Sequence, residues 1–309
     1  MDTKTVEWKR IGIFVLISFG LAWLLALYLF LDGAKWQPGE TGIDLKTTLI
    51  LAVGYMSTPA IANVATRWLT KEGWKNAFVT PNLRRGWKYW LLAWVTPAAL
   101  TVIGGLIYFL EFPQLFDPEM TSIMSMVVGA EIPSWLSPTT LLLLQLIQAV
   151  FISPLMNSVV TFGEEFGWRG YLLQKLLALG PRKGLLLSGV IWGLWHAPLI
   201  AMGHNYGRNY PGWPIAGIVM MTIFCISAGT LLAWLSLRGR SVWPAVIGHA
   251  AMNGIAGLGL LVTKDPGSVN MLLGPTPAGL IGGIGFIVVA AVLLVTAPRW
   301  AVAGDKILE

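Results

Sequence analysis

Residues 138–170 read PTTLLLLQLIQAVFISPLMNSVVTFGEEFGWRG, and this stretch decides the fold class. Its first part, 138–163, contains no charged side chain. About 20 apolar residues are enough to cross the roughly 30 Å hydrocarbon core of a bilayer as an α-helix. Two acids and a base, Glu164, Glu165 and Arg169, follow directly. The stretch therefore joins a membrane-spanning pattern to charged groups that such spans rarely contain.

Apolar segments of similar length recur along the whole chain. Of the 309 residues, 55% are hydrophobic and only 12% are charged, whereas a soluble domain carries about 25% charged residues. The spans are predicted as helices, since open strands would leave backbone groups unpaired in lipid. The sequence thus predicts an all-α, polytopic membrane helix bundle of about eight transmembrane helices, at 11–31, 47–66, 89–110, 138–163, 184–203, 214–237, 241–263 and 276–298.

Basic residues are distributed unequally between the two sides of the predicted bundle. With both termini cytoplasmic, 17 of the 21 Lys and Arg residues fall on the cytoplasmic side, and the outer segments keep only Lys35, Lys46, Arg208 and Lys264. Such an excess is typical of cytoplasmic loops. The basic pI is therefore attributed to topology and to contact with anionic lipids of the bilayer. No nucleic-acid partner is predicted, because no basic patch with interleaved aromatic residues lies outside the spans.

Few polar side chains lie inside the predicted spans. A charged group at the centre of a transmembrane helix costs about 2.5–3.5 kcal/mol on insertion scales, so such residues usually have a partner or a function. His196 lies in the fifth span, and His249 and Asn253 lie in the seventh. The third histidine, His204, is at the outer boundary and is predicted to be an interfacial loop residue.

Helical spacing predicts how these side chains are arranged. His249 and Asn253 are four residues apart and share a helix face, and Glu165 and Arg169 have the same spacing and can pair. Glu164 points about 100° away from Glu165, so the two carboxylates can have different roles.

The depths of the polar residues can be estimated from the helical rise. At 1.5 Å per residue, Glu164, His196 and His249 lie about 14–18 Å from the cytoplasmic boundary. We therefore expect the three side chains to meet near mid-membrane, in a cavity that opens to the cytoplasmic side.

Two acids, two histidines and an amide are sufficient groups for hydrolysis. A buried Glu can act as a general base toward water, assisted by a His. A second His and an Asn can donate hydrogen bonds to a developing oxyanion. If the site depends on metal, Glu164, His196 and His249 are the candidate zinc ligands, since two His and one Glu form a known catalytic set. Alternatively, buried His and Asn side chains only tie helices together.

Three motifs occur in order along the chain: Glu164-Glu165-x-x-x-Arg169, Trp192-Gly-Leu-Trp195-His196 and His249-x-x-x-Asn253. They resemble the CPBP family of intramembrane proteases (CAAX protease and bacteriocin-processing, Abi-type), which includes the type II CAAX prenyl endopeptidases. The second motif departs from the Phe-x-x-x-His of the family, because Trp192 replaces the phenylalanine. The resemblance covers roughly residues 140–260.

The resemblance implies an intramembrane endopeptidase with defined roles for these residues. Glu164 would be the catalytic base and His196 would help to activate the water, while His249 and Asn253 would stabilise the oxyanion. The supporting residues would be Glu165, Arg169 and the aromatic wall at Trp192. No cofactor is favoured, although zinc is possible because the family has been described both as metalloproteases and as metal-independent glutamate proteases. The substrate would be a membrane protein or a lipidated peptide of the prenylated CAAX kind.

These motifs also suggest how the chain is divided. Residues 1–137 would form helices 1–3 and an outer loop, 138–263 the catalytic CPBP/Abi-like helices 4–7, and 264–309 helix 8 and a tail. The expected location is a prokaryotic cell membrane. Two other functions remain open on the sequence: a non-catalytic immunity or scaffold protein and, less favoured, a transporter, for which no paired broken-helix repeats are found.

Overall fold

The computed structural model describes residues 5–34, 45–127 and 137–301. These residues form a bundle of helices, and this part of the chain has no β-strand beyond one isolated bridge. The main helices are α1 (Trp8–Leu31), α2 (Leu45–Leu69), α3 (Leu83–Glu111), α4 (Pro138–Met156), α5 (158–179), α6 (Pro181–Trp195), α7 (Ile215–Gly239), α8 (Trp243–Leu261) and α9 (Ile284–Arg299).

Six of these helices, α1 to α4 with α7 and α8, are long and apolar enough to cross a membrane. The outer surface of the bundle is apolar as well: Leu110, Val159 and Leu16 are 81%, 76% and 75% exposed. Such a continuous surface would aggregate in water, whereas it suits contact with lipid. The predicted helical membrane bundle is therefore confirmed, while the count of eight spans stays a prediction.

The fourth predicted span, 138–163, is wrong at its end. Helix α4 stops at Met156, and a new helix, α5, begins at Ser158. Glu164 consequently lies inside a second, more buried helix and not at the end of the apolar span. The two acids therefore lie in the interior of the bundle, and most of their neighbours on α5 are buried as well.

A proline prepares the break between α4 and α5. Pro154 has no N–H, so the carbonyl of Val150 loses its normal helical donor. The indole Nε1 of Trp94 on α3 donates to that carbonyl at 2.6 Å. A tertiary contact thus satisfies the backbone group that the proline leaves free, as is required within a membrane.

The eighth predicted span, 276–298, is wrong at its beginning. Helix α9 starts only at Ile284, and residues 262–283, called the turn segment below, are mostly non-helical. Backbone hydrogen bonds hold this segment together, from Leu280 N to Leu272 O and from Ile281 N to Leu273 O, both at 2.8 Å. Irregular backbone at membrane depth is tolerated only where it is buried in protein or lines a cavity, and Ala278 and its neighbours are buried.

The fifth predicted span, 184–203, is interrupted. Helix α6 ends at Trp195, His196 forms a turn, and a short helix, Ala197–Ala201, follows. Pro198 favours this break, because it cannot donate a hydrogen bond to the carbonyl of residue 194. The interruption occurs at a predicted site residue.

An ion-pair cluster ties together the end of the bundle that carries the connections 70–82, 180 and 240–242, called the basic end below. Lys175 on α5 donates to Glu7 and to Glu72, and Arg10 pairs with Glu7. Burial raises the pKa of Glu72, but hydrogen bonds from Lys175 and Asn76 outweigh this effect and leave the pKa below its ordinary value. The cluster joins the start of α1, the end of α5 and the connection between α2 and α3.

The turn segment touches α3 at a position where no side chain fits. A Cβ atom added to Gly104 would lie 1.8 Å from the carbonyl oxygen of Gly282. We expect Gly104→Ala to destabilise the protein by about 1–3 kcal/mol, as overpacking does, measured by thermal unfolding in detergent. Gly20→Ala is the matched control, because a Cβ there meets nothing within 4 Å. Equal stability of the two variants would contradict the close approach.

Candidate active site

Helix α5 lies against α2 with the backbones of the two helices in close contact. A Cβ atom on Gly167 would be 2.3 Å from the Cβ of Pro59, and one on Gly163 would be 2.7 Å from the carbonyl oxygen of Met56. Small residues at such positions let membrane helices approach closely. The two glycines flank the acidic pair in sequence, so this contact fixes the position of Glu164 and Glu165.

Two indole groups hold the carboxylate of Glu164. Trp192 Nε1 on α6 donates to Glu164 Oε2 at 2.8 Å, and Trp168 Nε1 on α5 donates to the same oxygen at 3.3 Å. The residue is only 2% exposed and lines the cavity described below. Because both donors bind Oε2, Oε1 is the oxygen available to a water molecule or a substrate.

Glu165 has a different environment from its neighbour. It is fully buried, and its Oε1 accepts hydrogen bonds from Arg169 and from His249 Nδ1, each at 2.8 Å. The guanidinium of Arg169 also lies 4.5 Å from the ring centre of Trp192. The structure thus contains the pair expected from the four-residue spacing, and it adds His249 from a distant helix.

His196 stands at the break after α6. Its Nδ1 lies 2.9 Å from the carbonyl oxygen of Trp192, to which it can donate, so Nε2 is the nitrogen left for chemistry. Its ring contacts Trp195 at 4.8 Å between centroids. The Trp195 carbonyl in turn accepts from the Tyr55 hydroxyl at 2.6 Å. Side chains therefore make hydrogen bonds to the backbone carbonyls of Trp192 and Trp195 at this break.

His249 and Asn253 both lie on the cavity side of α8. The ring of His249 meets Trp192 edge to face, with 5.4 Å between centroids. With Nδ1 committed to Glu165, its Nε2 is the remaining nitrogen, which can donate a hydrogen bond only when the ring carries both protons. The amide of Asn253 is exposed to the cavity.

The four predicted catalytic side chains share one cavity of about 490 Å³, a size typical of small-ligand sites. Its walls are otherwise mainly apolar and include four methionines, whose flexible side chains adapt to irregular ligands. They are Met56, Met221, Met252 and Met271. The structure therefore brings together, from three helices, the polar residues that the sequence suggested.

The walls of the cavity follow one end of the bundle more than the other. From Glu164 they extend along residues of α2, α7 and α8 at the end opposite the basic end, including Thr48, Asn205, Leu260 and Ala278. The basic connections lie at the other end of the same helices. The opening of the site to the cytoplasmic side stays a prediction.

Several wall residues were missed in the sequence. His204, predicted as an interfacial loop residue, lines the cavity, as do Tyr55 and Thr276. Trp168 could have been found, since it follows Glu164 by four residues and the pair shares a helix face. Tyr55 and Thr276 carry no such local signal, because they reach the cavity only through long-range packing.

Zinc dependence stays a prediction. Across residues 5–34, 45–127 and 137–301, no three His, Cys, Asp or Glu side chains are grouped so that they could hold a metal ion. The hydrogen bonds to Glu164 Oε2, His196 Nδ1 and His249 Nδ1 leave Glu164 Oε1 and both histidine Nε2 atoms open, and these are the atoms that a zinc ion would need.

The region around the cavity is similar to known proteins. Residues 138–255 match the family described as type II CAAX prenyl endopeptidase Rce1-like. Over 133 residues the chain is 29% identical to the CAAX prenyl protease 2 of Methanococcus maripaludis, which covers 42% of this chain and 45% of that protein. The chain thus spans less than half the length of the curated relative it matches. All three motifs lie in the matched region, and the resemblance seen in the sequence is confirmed.

Loss of Arg169 should destabilise the site strongly. Arg169→Met leaves the buried Glu165 with one partner fewer, and breaking a buried ion pair costs about 3–5 kcal/mol. We expect a lower midpoint of thermal unfolding in detergent. Arg85→Met, at an exposed position, is the control and should change little. An Arg169→Met protein as stable as the control would contradict a structural role for the pair.

Proposed function

We propose, from the premise that residues 138–255 belong to the CAAX protease (CPBP) family, that this protein is an intramembrane endopeptidase that uses Glu164 as its base. The observation that supports the proposal most is the shared cavity: Glu164, His196, His249 and Asn253 meet there on apolar walls. The neighbouring acid Glu165 is taken up by Arg169 and His249, so only one of the two carboxylates faces the cavity.

In the proposed reaction, Glu164 Oε1 removes a proton from a water molecule as its oxygen attacks the peptide carbonyl carbon. The unprotonated Nε2 of His196 accepts a second hydrogen bond from the water and orients it. When the C–N bond breaks, the proton on Glu164 passes to the leaving nitrogen. The products are a new carboxylic acid and a new amine, and the base returns to its ionised form. Transfer of the remaining water proton from the acid to the amine gives a carboxylate and an ammonium group.

The oxyanion that forms during attack needs hydrogen-bond donors aimed at its position. Asn253 offers its amide N–H, and His249 offers Nε2–H when its ring is protonated. The carboxylate of Glu165 on Nδ1 compensates the charge of such a ring. Glu165 and Arg169 are positioning residues in this scheme, because neither lines the cavity.

The walls of the cavity suit a substrate with an apolar portion. Leu51, Leu199 and Phe224, together with the methionines, offer apolar surface beside the reacting groups. We propose a membrane protein or a lipidated peptide of the CAAX kind as substrate, in a prokaryotic cell membrane. The name of the Methanococcus maripaludis relative, CAAX prenyl protease 2, supports a prenylated peptide among the candidates.

A non-catalytic role is the second candidate, favoured by one observation. The contacts of Glu165 and Arg169 join α5, α6 and α8, as a purely structural network would. Under this alternative the site residues hold an immunity or scaffold protein together. Substitution of Glu164 separates the two functions.

Glu164→Gln should abolish hydrolysis while the fold is retained. Loss of a general base lowers kcat by about 10²–10⁴-fold, measured as cleavage of a farnesylated peptide by the purified protein in nanodiscs. Glu119→Gln, at an exposed acid, is the matched control. A second arm adds a zinc chelator to the unsubstituted protein, and loss of activity there would overturn the metal-free scheme. Unchanged cleavage by Glu164→Gln would overturn the proposed base.

Trp192→Phe should separate the role of Trp192 as hydrogen-bond donor to Glu164 from its role as an aromatic wall of the cavity. Phenylalanine keeps an aromatic wall but removes the N–H donor to Glu164, and a hydrogen bond to a charged group contributes about 1.5–3 kcal/mol. We expect kcat to fall by about tenfold or more, with KM nearly unchanged because the wall remains. Trp213→Phe, at a partly exposed position outside the cavity, is the control. A change in KM alone would show that the indole N–H does not support the base.

A further inference from the structure

Helix α2 lies outside the matched range 138–255, yet it contacts the helices that carry the candidate catalytic groups. Several of its polar side chains are buried, among them Tyr55, Asn63 and Arg67. Polar side chains inside membrane helices are costly and usually have a partner or a function. The partners of Tyr55 and Asn63 lie on other helices, and in both cases the partner is a backbone carbonyl next to a proposed site residue.

Tyr55 holds the end of α6. Its hydroxyl donates to the carbonyl oxygen of Trp195 at 2.6 Å, and the His196 N–H on the other side of the same peptide bond donates to the carbonyl oxygen of Gly193 at 3.1 Å. A peptide unit is planar, so these two bonds fix it as one rigid body. His196 stands in the turn that follows α6. The bond from Tyr55 therefore fixes the backbone from which the His196 ring projects.

Asn63 holds α5 beside the acidic pair. Its Nδ2 donates to the carbonyl oxygen of Phe166 at 2.8 Å, and Phe166 directly follows Glu165 in the chain. A π-helical turn, Trp168–Leu172, begins two residues later. Such turns, with hydrogen bonds between residues i and i+5, are rare and occur frequently at functional sites. The bond from Asn63 therefore fixes the backbone of α5 between the acids and the turn that carries Arg169.

Arg67 fixes the orientation of the Asn63 amide. Its Nε donates to Asn63 Oδ1 at 2.7 Å, so the amide nitrogen is the end that faces Phe166. The guanidinium is itself held, because it donates to the carbonyl oxygen of Gly73 at 2.8 Å and lies 5.0 Å from the ring centre of Tyr171 on α5. A carboxylate has no donor when it is ionised. An aspartate at position 63 would thus keep the acceptor for Arg67 and lose the bond to α5.

We propose that Tyr55 and Asn63 are positioning residues of the endopeptidase site. Tyr55 acts through His196, which orients the attacking water. Asn63 acts through the acidic pair, in which Glu165 is bound to His249. Misplacement of a reacting group by about 1 Å can lower a rate by about 10²-fold, so these contacts act on kcat more than on substrate binding. This inference rests on the proposed function and extends the site to α2.

A kinetic comparison in nanodiscs tests the proposal. Tyr55→Phe keeps the ring in the cavity wall and Asn63→Asp keeps the acceptor for Arg67, but each variant lacks the donor to its carbonyl. We expect kcat for the farnesylated peptide to fall about 10- to 100-fold in each, with KM nearly unchanged. Asn63→Leu, which is uncharged and also lacks the donor, replaces Asn63→Asp if the latter does not fold. Unchanged kcat in the folded variants overturns the proposal.

Thr66→Val is the matched control. Thr66 is fully buried on the same helix as Asn63, but its hydroxyl donates to the carbonyl oxygen of Ala62 within α2. The substitution therefore removes a buried hydrogen bond that does not reach α5 or α6, and kcat should stay that of the unsubstituted protein. An equal loss of kcat in Thr66→Val would assign the effect to buried substitutions in general and would overturn the proposal.

The histidine rings give a second measurement that needs no activity. The chain has three histidines, so nitrogen NMR of the ¹⁵N-labelled rings gives a few signals, which His→Gln variants assign. We expect Tyr55→Phe to shift or broaden the signals of His196, and Asn63→Asp to do so for His249, whose Nδ1 is bound to Glu165. Thr66→Val should leave both rings unchanged. Unchanged ring signals in the first two variants overturn the proposal.

Failure of the proposed function gives a different result from failure of this inference. If the unsubstituted protein does not cleave the peptide, the proposed function fails, and the ring signals alone decide on α2. Signals that change as expected then support the positioning contacts of Tyr55 and Asn63, and unchanged signals overturn them. If the unsubstituted protein cleaves the peptide and both variants cleave it equally well, only the inference is overturned.

Discussion

The burial of Glu165 is the constraint on which the rest of the site depends. A carboxylate in a membrane bundle is costly unless it is paired and hydrogen-bonded. Arg169 supplies the charge from the same helix, and His249 supplies a donor from α8. Arg169 also covers Trp192 of α6. A single acid thereby sets the mutual position of three helices, and these three helices carry the candidate catalytic groups.

This arrangement leaves Glu164 free for another task. Adjacent residues on a helix point about 100° apart. The groups that pair with Glu165 therefore do not reach the carboxylate of Glu164. Among the described residues, the hydrogen-bond donors to Glu164 are the indoles of Trp192 and Trp168, both on one oxygen. Trp192, which departs from the Phe-x-x-x-His pattern of the family, therefore does more than line the cavity. It contacts the base, stacks on Arg169 and meets both histidine rings.

Breaks in the helices create the space in which these groups meet. The chain interrupts its apolar segments at Asn157, at His196 and throughout the turn segment 262–283. His196 at the second break and Met271 and Thr276 of the turn segment line the cavity. Each break frees backbone groups that lipid cannot satisfy, and the structure meets this need with side chains such as Trp94, Tyr55 and Tyr206. The breaks therefore occur beside the cavity, and side-chain hydrogen bonds stabilise the backbone there.

The sequence by itself determined the class of fold and the residues that make up the candidate site. Uncharged segments of about 20 residues require membrane helices, and the few polar residues within them had to be partnered, which singled out Glu164, Glu165, Arg169, His196, His249 and Asn253. Tertiary structure alone decided where the helices break, which donors hold Glu164, and toward which end the cavity runs. Periodicity cannot reveal these features, because they depend on contacts between residues far apart in the chain, such as Trp94 with Val150 and Tyr206 with Ala278.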